Sequence, residues 1–177
     1  MSTGLPSFRY HPDPVFTRSV QPSDVRCICC DLQRGFIYRG PVYAIGSYNG
    51  QICPWCIADG TAHRKLNCTF QDDYGVRDVP TEVVEEVTQR TPGFSGWQQE
   101  QWWTHCNDAA AFLGDAQQVR PQNEDLEQLI EVLLEDSGFS EKEWGHYFVN
   151  PGNGTGVTVY VFRCLHCGKM GGNWDAD

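Results

Sequence analysis

Three Cys-x-x-Cys pairs stand out in this chain: Cys27/Cys30, Cys53/Cys56 and Cys164/Cys167. Two thiolates three positions apart sit at the rim of a tight turn with both sulfurs on one side, and two such turns supply the tetrahedron that Zn²⁺ prefers. Cys27, Cys30, Cys53 and Cys56 are therefore expected to hold one zinc. The 22 residues between Cys30 and Cys53 slightly exceed the usual roughly 15 to 20, so a hairpin should fit between the knuckles. Four thiolates close the metal shell, which suits structural zinc; a catalytic ion needs an open position and a nearby base. The bland alternative is a cluster of reduced buried thiols. A thioredoxin-like reading of Cys53-Pro54-Trp55-Cys56 expects a lone pair entering a helix within a βαβ pattern, and here a partner knuckle lies upstream.

Cys164 and Cys167 need two more donors. Cys106 is the best candidate, with His105 as the fourth, for a second zinc. A set completed by His166 or a water, and a metal-free reduced pair, remain alternatives. His105 and Cys106 also resemble a base and a nucleophile, but catalytic dyads meet in space rather than in sequence, and only Asp108 offers an orienting group. Cys29 reads as a spare thiol beside the first site, and Cys68 with His63 as packing.

The elements that must position these donors follow from the pattern between them. Pro6, Pro12, Pro14 and Pro22 keep the N-terminal stretch extended or turned, while Phe8, Tyr10 and Phe16 let it pack. Phe36 to Arg39 and Val42 to Ile45 alternate on either side of Gly40-Pro41 and predict the hairpin of a zinc ribbon. Pro80 opens a helix with a Val83, Val84, Val87 stripe that ends at Pro92-Gly93, and a second helical segment is expected around Trp97 to His105. Leu126, Leu129, Ile130, Leu133 and Leu134 recur at helical spacing, with Gly138 as the stop. Ser140 and Glu143 form a capping box, Asn150 to Gly154 a loop, and Val157 to Phe162 a strand that delivers Cys164 and Cys167.

The outer face of the leucine helix carries Glu124, Asp125, Glu127, Glu131, Glu135 and Asp136. Such a run is most simply a solvated face, and otherwise an interaction surface. Trp97, Trp102, Trp103 and Trp144 are read as core rather than as a ligand groove. Thirteen Lys and Arg against 23 Asp and Glu give a formal charge of −10, which repels phosphate backbones, argues against direct nucleic-acid binding and suits a basic protein partner. With 40% hydrophobic and 12% aromatic residues in 177 the chain can bury a core. No apolar stretch is long enough to span a bilayer, no secretory signal is evident, and nine cysteines in metal-like pairs fit a reducing cytoplasm better than a disulfide ladder.

Several blocks together resemble the CbrC family of bacterial proteins, sometimes labelled colicin tolerance proteins. They are Phe8-Arg9-Tyr10-His11-Pro12-Asp13-Pro14, the Cys27/Cys30 knuckle, Ile52-Cys53-Pro54-Trp55-Cys56-Ile57-Ala58-Asp59-Gly60, Thr91-Pro92-Gly93-Phe94, Trp97-Gln98, His105-Cys106-Asn107-Asp108, and Phe162-Arg163-Cys164-Leu165-His166-Cys167-Gly168. The resemblance spans the chain and implies a link to tolerance of a nuclease colicin, with no catalytic residue to carry over. That family commonly has a further cysteine four positions after the Cys of its His-Cys-x-Asp motif. Here that position is Ala110, so the second metal set either depends on His105 or marks a lost site.

The expected fold is α+β: one domain over 1–177, with a zinc-ribbon-like lobe at 22–70, a mainly helical middle at 78–146, and a C-terminal strand and knuckle at 147–177. The expected function is a zinc-stabilised binding protein of the tolerance or immunity type, acting on a basic protein such as a nuclease toxin through Glu127, Glu131 and Glu135. The alternatives are a metal-binding regulatory adaptor and, third, a metal- or thiol-dependent enzyme.

Overall fold

The computed structural model describes residues 4–149 and 156–176. The fold is α+β. In chain order the elements are β1 (Val20–Pro22), β2 (Phe36–Tyr38), α1 (Pro54–Ala58), α2 (Thr61–Leu66), α3 (Thr81–Arg90), β3 (Thr104–His105), β4 (Asp108–Ala109), β5 (Ala111–Asp115), α4 (Ala116–Val119), α5 (Asn123–Ser137), α6 (Glu141–Val149), β6 (Val157–Arg163) and β7 (Met170–Ala176). The strands form three small antiparallel sheets, β1-β2, β3-β4 and β5-β6-β7. Among the described residues no helix is long and apolar enough to cross a membrane.

Three apolar clusters hold these elements together. The first, built on Val20, Ile37, Tyr38, Ile52, Ile57 and Phe70, encloses Cys27, Cys53 and Cys56, with Cys30 packed against it. The second is aromatic: Phe94 stacks on Phe112 at 4.3 Å, with Trp102, Tyr160 and Phe162 around them. The third seats Leu129, Leu133 and Trp144 against Val159, Val161 and Met170. Strand β6 explains why the last two are adjacent. Successive side chains of a strand point to opposite faces, so Val159 and Val161 feed the third cluster while Tyr160 and Phe162 feed the second.

Several expectations are met locally. Helix α5 stops at Gly138 in the left-handed region, φ 69°, where glycine costs nothing. The Ser140 hydroxyl accepts from the Glu143 amide while the Glu143 carboxylate accepts from Ser140 N at 2.7 Å, the reciprocal geometry of a capping box. Pro80, expected at the first helical position, stands one residue earlier as the N-cap of α3. The loop expected over Asn150–Gly154 lies outside the described residues, as does the side chain of Asp136.

Two expectations are corrected. Strand β2 does not pair with Val42 to Ile45; it pairs with the upstream β1, Val20 opposite Tyr38, and Tyr43 instead bridges Thr69. The reason lies in Gly40 and Pro41. A Cβ on Gly40 would meet the Tyr38 hydroxyl at 2.4 Å, and that hydroxyl donates to Pro41 O at 2.9 Å, so the chain folds over its own ring rather than turning into a ladder. The other edge of Tyr38 is taken by Ile52 O. Nor is there a helix over Trp97 to His105. Asp175 accepts from the amides of Trp97 and Gln98, Glu100 accepts from Gly96 N, and Trp102 N donates to Gly75 O. These tertiary partners replace the i to i−4 bonds that helix-compatible residues would otherwise make.

The N-terminal segment runs between the clusters without a helix. Phe8 enters the first and Tyr10 the second, and Tyr10 O accepts from Phe112 N. His11 is fully buried between Pro92 O on Nδ1, at 2.6 Å, and the Thr17 hydroxyl on Nε2, at 2.7 Å. A carbonyl only accepts, so Nδ1 carries the proton. Burial lowers the His11 pKa from 6.5 to about 4, against an opposing pull from Pro92 O. Between those two values the unfolded chain binds a proton that the folded imidazole refuses. Stability is full above pH 6.5 and falls, by up to about 3 kcal/mol, as pH drops through 4. Histidine NMR titration of the zinc-loaded protein should leave His11 silent down to about pH 4; a transition near 6.5 would show a solvated ring.

Candidate metal centres

Cys27 and Cys30 form a knuckle whose turn is closed by Asp31 N on Cys27 O at 2.8 Å and Cys27 N on Leu32 O at 3.0 Å, with Asp31 in the left-handed region. Cys53 and Cys56 are built differently. Cys53 is the N-cap of α1, with Pro54 in the first turn and Cys56 N on Cys53 O. The second half of this centre is thus a helix start rather than a second ribbon knuckle. It is also a Cys-Pro-Trp-Cys entering a helix, as in the redox reading, but its sulfurs face those of Cys27 and Cys30.

The four sulfurs lie within 4.8 Å of one another. Cys27 and Cys56 are 3.9 Å apart, as are Cys30 and Cys53. A tetrahedral zinc with Zn–S near 2.3 Å demands an S···S edge of about 3.8 Å, so the donors fit the ion. Their electrostatics agree. The Cys53 thiol and the amides of Cys53, Cys30 and Cys29 bond to Cys27 and bring its pKa down to about 4, while Cys53 and Cys56 are pushed up. Without a cation Cys27 takes the charge while Cys53 and Cys56 keep their protons; a divalent ion offsets that mutual repulsion. Cys27, Cys53 and Cys56 are buried.

The second group is His105, Cys106, Cys164 and Cys167, again within 4.8 Å. Cys164 and Cys167 repeat the first knuckle's turn between β6 and β7: Gly168 N donates to Cys164 O, Cys164 N to Lys169 O, and Gly168 has φ 78°. His105 and Cys106 come from the β3-β4 hairpin, where His105 pairs with Asp108 across a two-residue loop. Cys106 and Asn107 both have positive φ, 55° and 57°, as a type I′ turn requires. Asn is a usual occupant of such a turn; a cysteine tolerated there points to a duty for its sulfur. The His105 ring stacks on Trp103 at 5.2 Å and sets Nδ1 3.2 Å from Cys106 Sγ and 3.4 Å from Cys167 Sγ. A tetrahedral N···S edge is about 3.6 Å. Burial would raise Cys164, but the Cys167 amide, His105 and the His166 amide outweigh it and bring Cys164 down to about 6. Unlike the first group, Cys106 and Cys167 are exposed.

His166 does not join the donors. Its Nε2 lies 2.8 Å from Asp108, a largely buried carboxylate that also accepts from the Tyr10 hydroxyl at 2.7 Å and pairs with Arg9. Burial opposes its ionisation, yet Tyr10, His166 and Arg9 together hold Asp108 below the usual carboxylate value. This network, which ties the N-terminal segment to the C-terminal knuckle, was missed in the sequence. Its signal was present: Asp108 stands two residues after Cys106, and His166 lies inside the last Cys-x-x-Cys.

Ala110 is buried in the aromatic cluster, its carbonyl accepting from Trp102 Nε1. Cys68 and His63 pack together through a bond from Nδ1 to Cys68 O. On α5, Glu127 and Glu135 are exposed, while Glu131 pairs with Lys169 and Asp125 with Arg163. Trp102 and Trp144 are core as expected, but Trp97 is 69% exposed.

A family model described as an uncharacterised protein family (UPF0167) matches residues 5–176. The chain belongs to this family. UPF0167 proteins of Mycobacterium bovis and Mycobacterium tuberculosis are each 46% identical to it over 168 residues, 93% of this chain and 89% of theirs. A UPF0167 protein of Pseudomonas aeruginosa is 38% identical over 180 residues, covering 100% of this chain and 99% of that one. No solved structure matches the chain significantly. This UPF0167 chain therefore combines a family-wide sequence with two groups of side chains that could hold metal ions.

Proposed function

We propose that this UPF0167 protein is a zinc-stabilised binding protein with two structural zinc ions. Cys27, Cys30, Cys53 and Cys56 hold one, and His105, Cys106, Cys164 and Cys167 the other. The observation that carries this reading is that each group supplies four convergent donors, which closes a tetrahedral shell and leaves no position for a substrate. The first ion fixes the lobe. The second clamps the β3-β4 hairpin to the β6-β7 knuckle, and Asp108 through His166 steadies that knuckle from behind. Nine free cysteines suit a reducing cytoplasm.

The action is binding, through the outer face of α5, of a basic protein. Support comes from the charge of −10 and from the exposed Glu127 and Glu135, which make no ion pair among the described residues. The resemblance to the CbrC family supplies the class of partner, a nuclease toxin. Acidic surfaces steer basic partners at rates that fall with salt. Reversing charge with Glu127→Lys, Glu131→Lys and Glu135→Lys together should weaken protection of cells challenged with a nuclease colicin. It should also flatten the salt dependence of association with the isolated nuclease domain, with zinc content unchanged. Full protection by the triple variant would remove α5 as the interface, and turnover of a nucleic-acid or thiol substrate by the wild type would replace binding by catalysis.

A further inference from the structure

Where the metal lobe meets the sheet, Arg18, Arg39, Phe94, Phe112, Gln118 and Tyr160 line a cleft of about 300 Å³. A second cleft, about 480 Å³, continues from it past Ser95, Asp115 and Tyr160 to Trp97 and Thr158. Both fall in the range of small-molecule pockets, roughly 300–1,000 Å³, which favour junctions between substructures. Their two ends differ in chemistry.

The first end is cationic in an acidic protein. Neither Arg18 nor Arg39 has a carboxylate partner among the described residues. The nearby Asp115 carboxylate is already used as the cap of α4, accepting from Gln118 N at 2.8 Å. Arg39 lines the cleft, and its Nη1 lies close to Gly50, where a Cβ would stand 2.8 Å from it. Arg18 holds φ 64°, a left-handed conformation that costs a long side chain energy and that glycine adopts freely. Its carbonyl is gripped by Gln21 Nε2 at 3.0 Å. Arg18 ends a turn in which Val20 N reaches Pro14 O, a position glycine would fill at lower cost, and its guanidinium is left without a carboxylate among the described residues.

The other end is an aromatic platform. Trp97 is 69% exposed, yet its indole donates to the Thr158 hydroxyl at 3.1 Å and its amide to Asp175 at 2.8 Å. A large ring that is both wet and fixed is ready to stack with little further ordering. We propose that this groove binds a small planar aromatic anion of nucleoside-monophosphate size, with the anionic group on Arg18 and Arg39 and the ring at Trp97.

The probes are AMP, GMP, CMP and UMP, indole-3-acetate as a non-nucleotide aromatic anion, and inorganic phosphate alone, each titrated into the zinc-loaded protein by calorimetry and tryptophan fluorescence. At least one aromatic anion should bind saturably with Kd below about 1 mM, and more tightly than phosphate; which class binds identifies the source. Arg18→Gly should weaken that binding about tenfold or more while leaving Tm unchanged or higher, a combination that a purely structural arginine would not give. Trp97→Ala should weaken it as well and abolish the quenching. Absence of saturable binding by every aromatic probe, binding no tighter than phosphate, or binding that survives both substitutions would overturn the assignment.

Discussion

Cys53→Ser should remove one zinc ion per chain and unfold the lobe from β1 to Phe70. Cys53 is both one of the four convergent sulfurs and the N-cap of α1, and it lies in the same cluster as Ile37, Tyr38, Ile52 and Phe70. Binding of structural zinc is worth roughly 10 to 16 kcal/mol in small zinc domains, where it is folding free energy. A whole domain has only about 5 to 15 kcal/mol of net stability, so a lobe whose strands are three residues long is expected to lose its shape once the proposed ion is removed. The β5-β6-β7 sheet draws on the other two clusters and should survive. Metal analysis would show the lost zinc, and hydrogen exchange would show protection lost over 20–70 and kept over 157–176. A wild type purified without zinc under non-chelating conditions, or a Cys53–Cys56 disulfide in cells, would refute the centre.

The two centres should also part with their metal at very different rates. Three of the four sulfurs in the first are buried, whereas Cys106 and Cys167 in the second face solvent. A chelator reaches the exposed centre through local fraying but reaches the buried one only when the lobe opens, and each 1.4 kcal/mol of opening slows removal about tenfold. Chelation should therefore release one zinc quickly and one slowly. Alkylation after the fast phase should label Cys106, Cys164 and Cys167 and spare Cys27, Cys30, Cys53 and Cys56. Cys164→Ser should abolish the fast phase alone. A single phase, a reversed labelling order, or a stoichiometry of one zinc that Cys164→Ser leaves unchanged would sink the second centre.

Much of this could be read from the chain because it is locally encoded. The Cys-x-x-Cys spacing brings two sulfurs to one side of a tight bend: Cys27/Cys30 and Cys164/Cys167 adopt the same hydrogen-bonded knuckle despite lying far apart in sequence, while Pro54 turns Cys53/Cys56 into a helix start. The leucine repeat of α5 and the alternation of Val157 to Phe162 declare their periods without reference to a partner. Strand β7 was less visible: Met170-Gly171-Gly172-Asn173 lacks β-branched residues, and it is a strand because β6 pairs with it along its whole length. Its glycines serve that closeness, since a Cβ on Gly172 would meet Tyr160 O at 2.3 Å.

By itself the sequence determined which residue types could bind metal, the acidic charge, the α+β class and the strongest helix and strand, because each is a property of composition or of spacing within one segment. Only the tertiary structure decided that β2 pairs backwards with β1, that Trp97 to Glu100 is pinned open by Asp175 and Glu100, and that His166 turns to Asp108 while His105 joins the three cysteines. Those choices depend on partners up to 78 positions away, brought within reach when the three clusters close. Local periodicity carries no record of which distant carboxylate or sulfur will then be nearest.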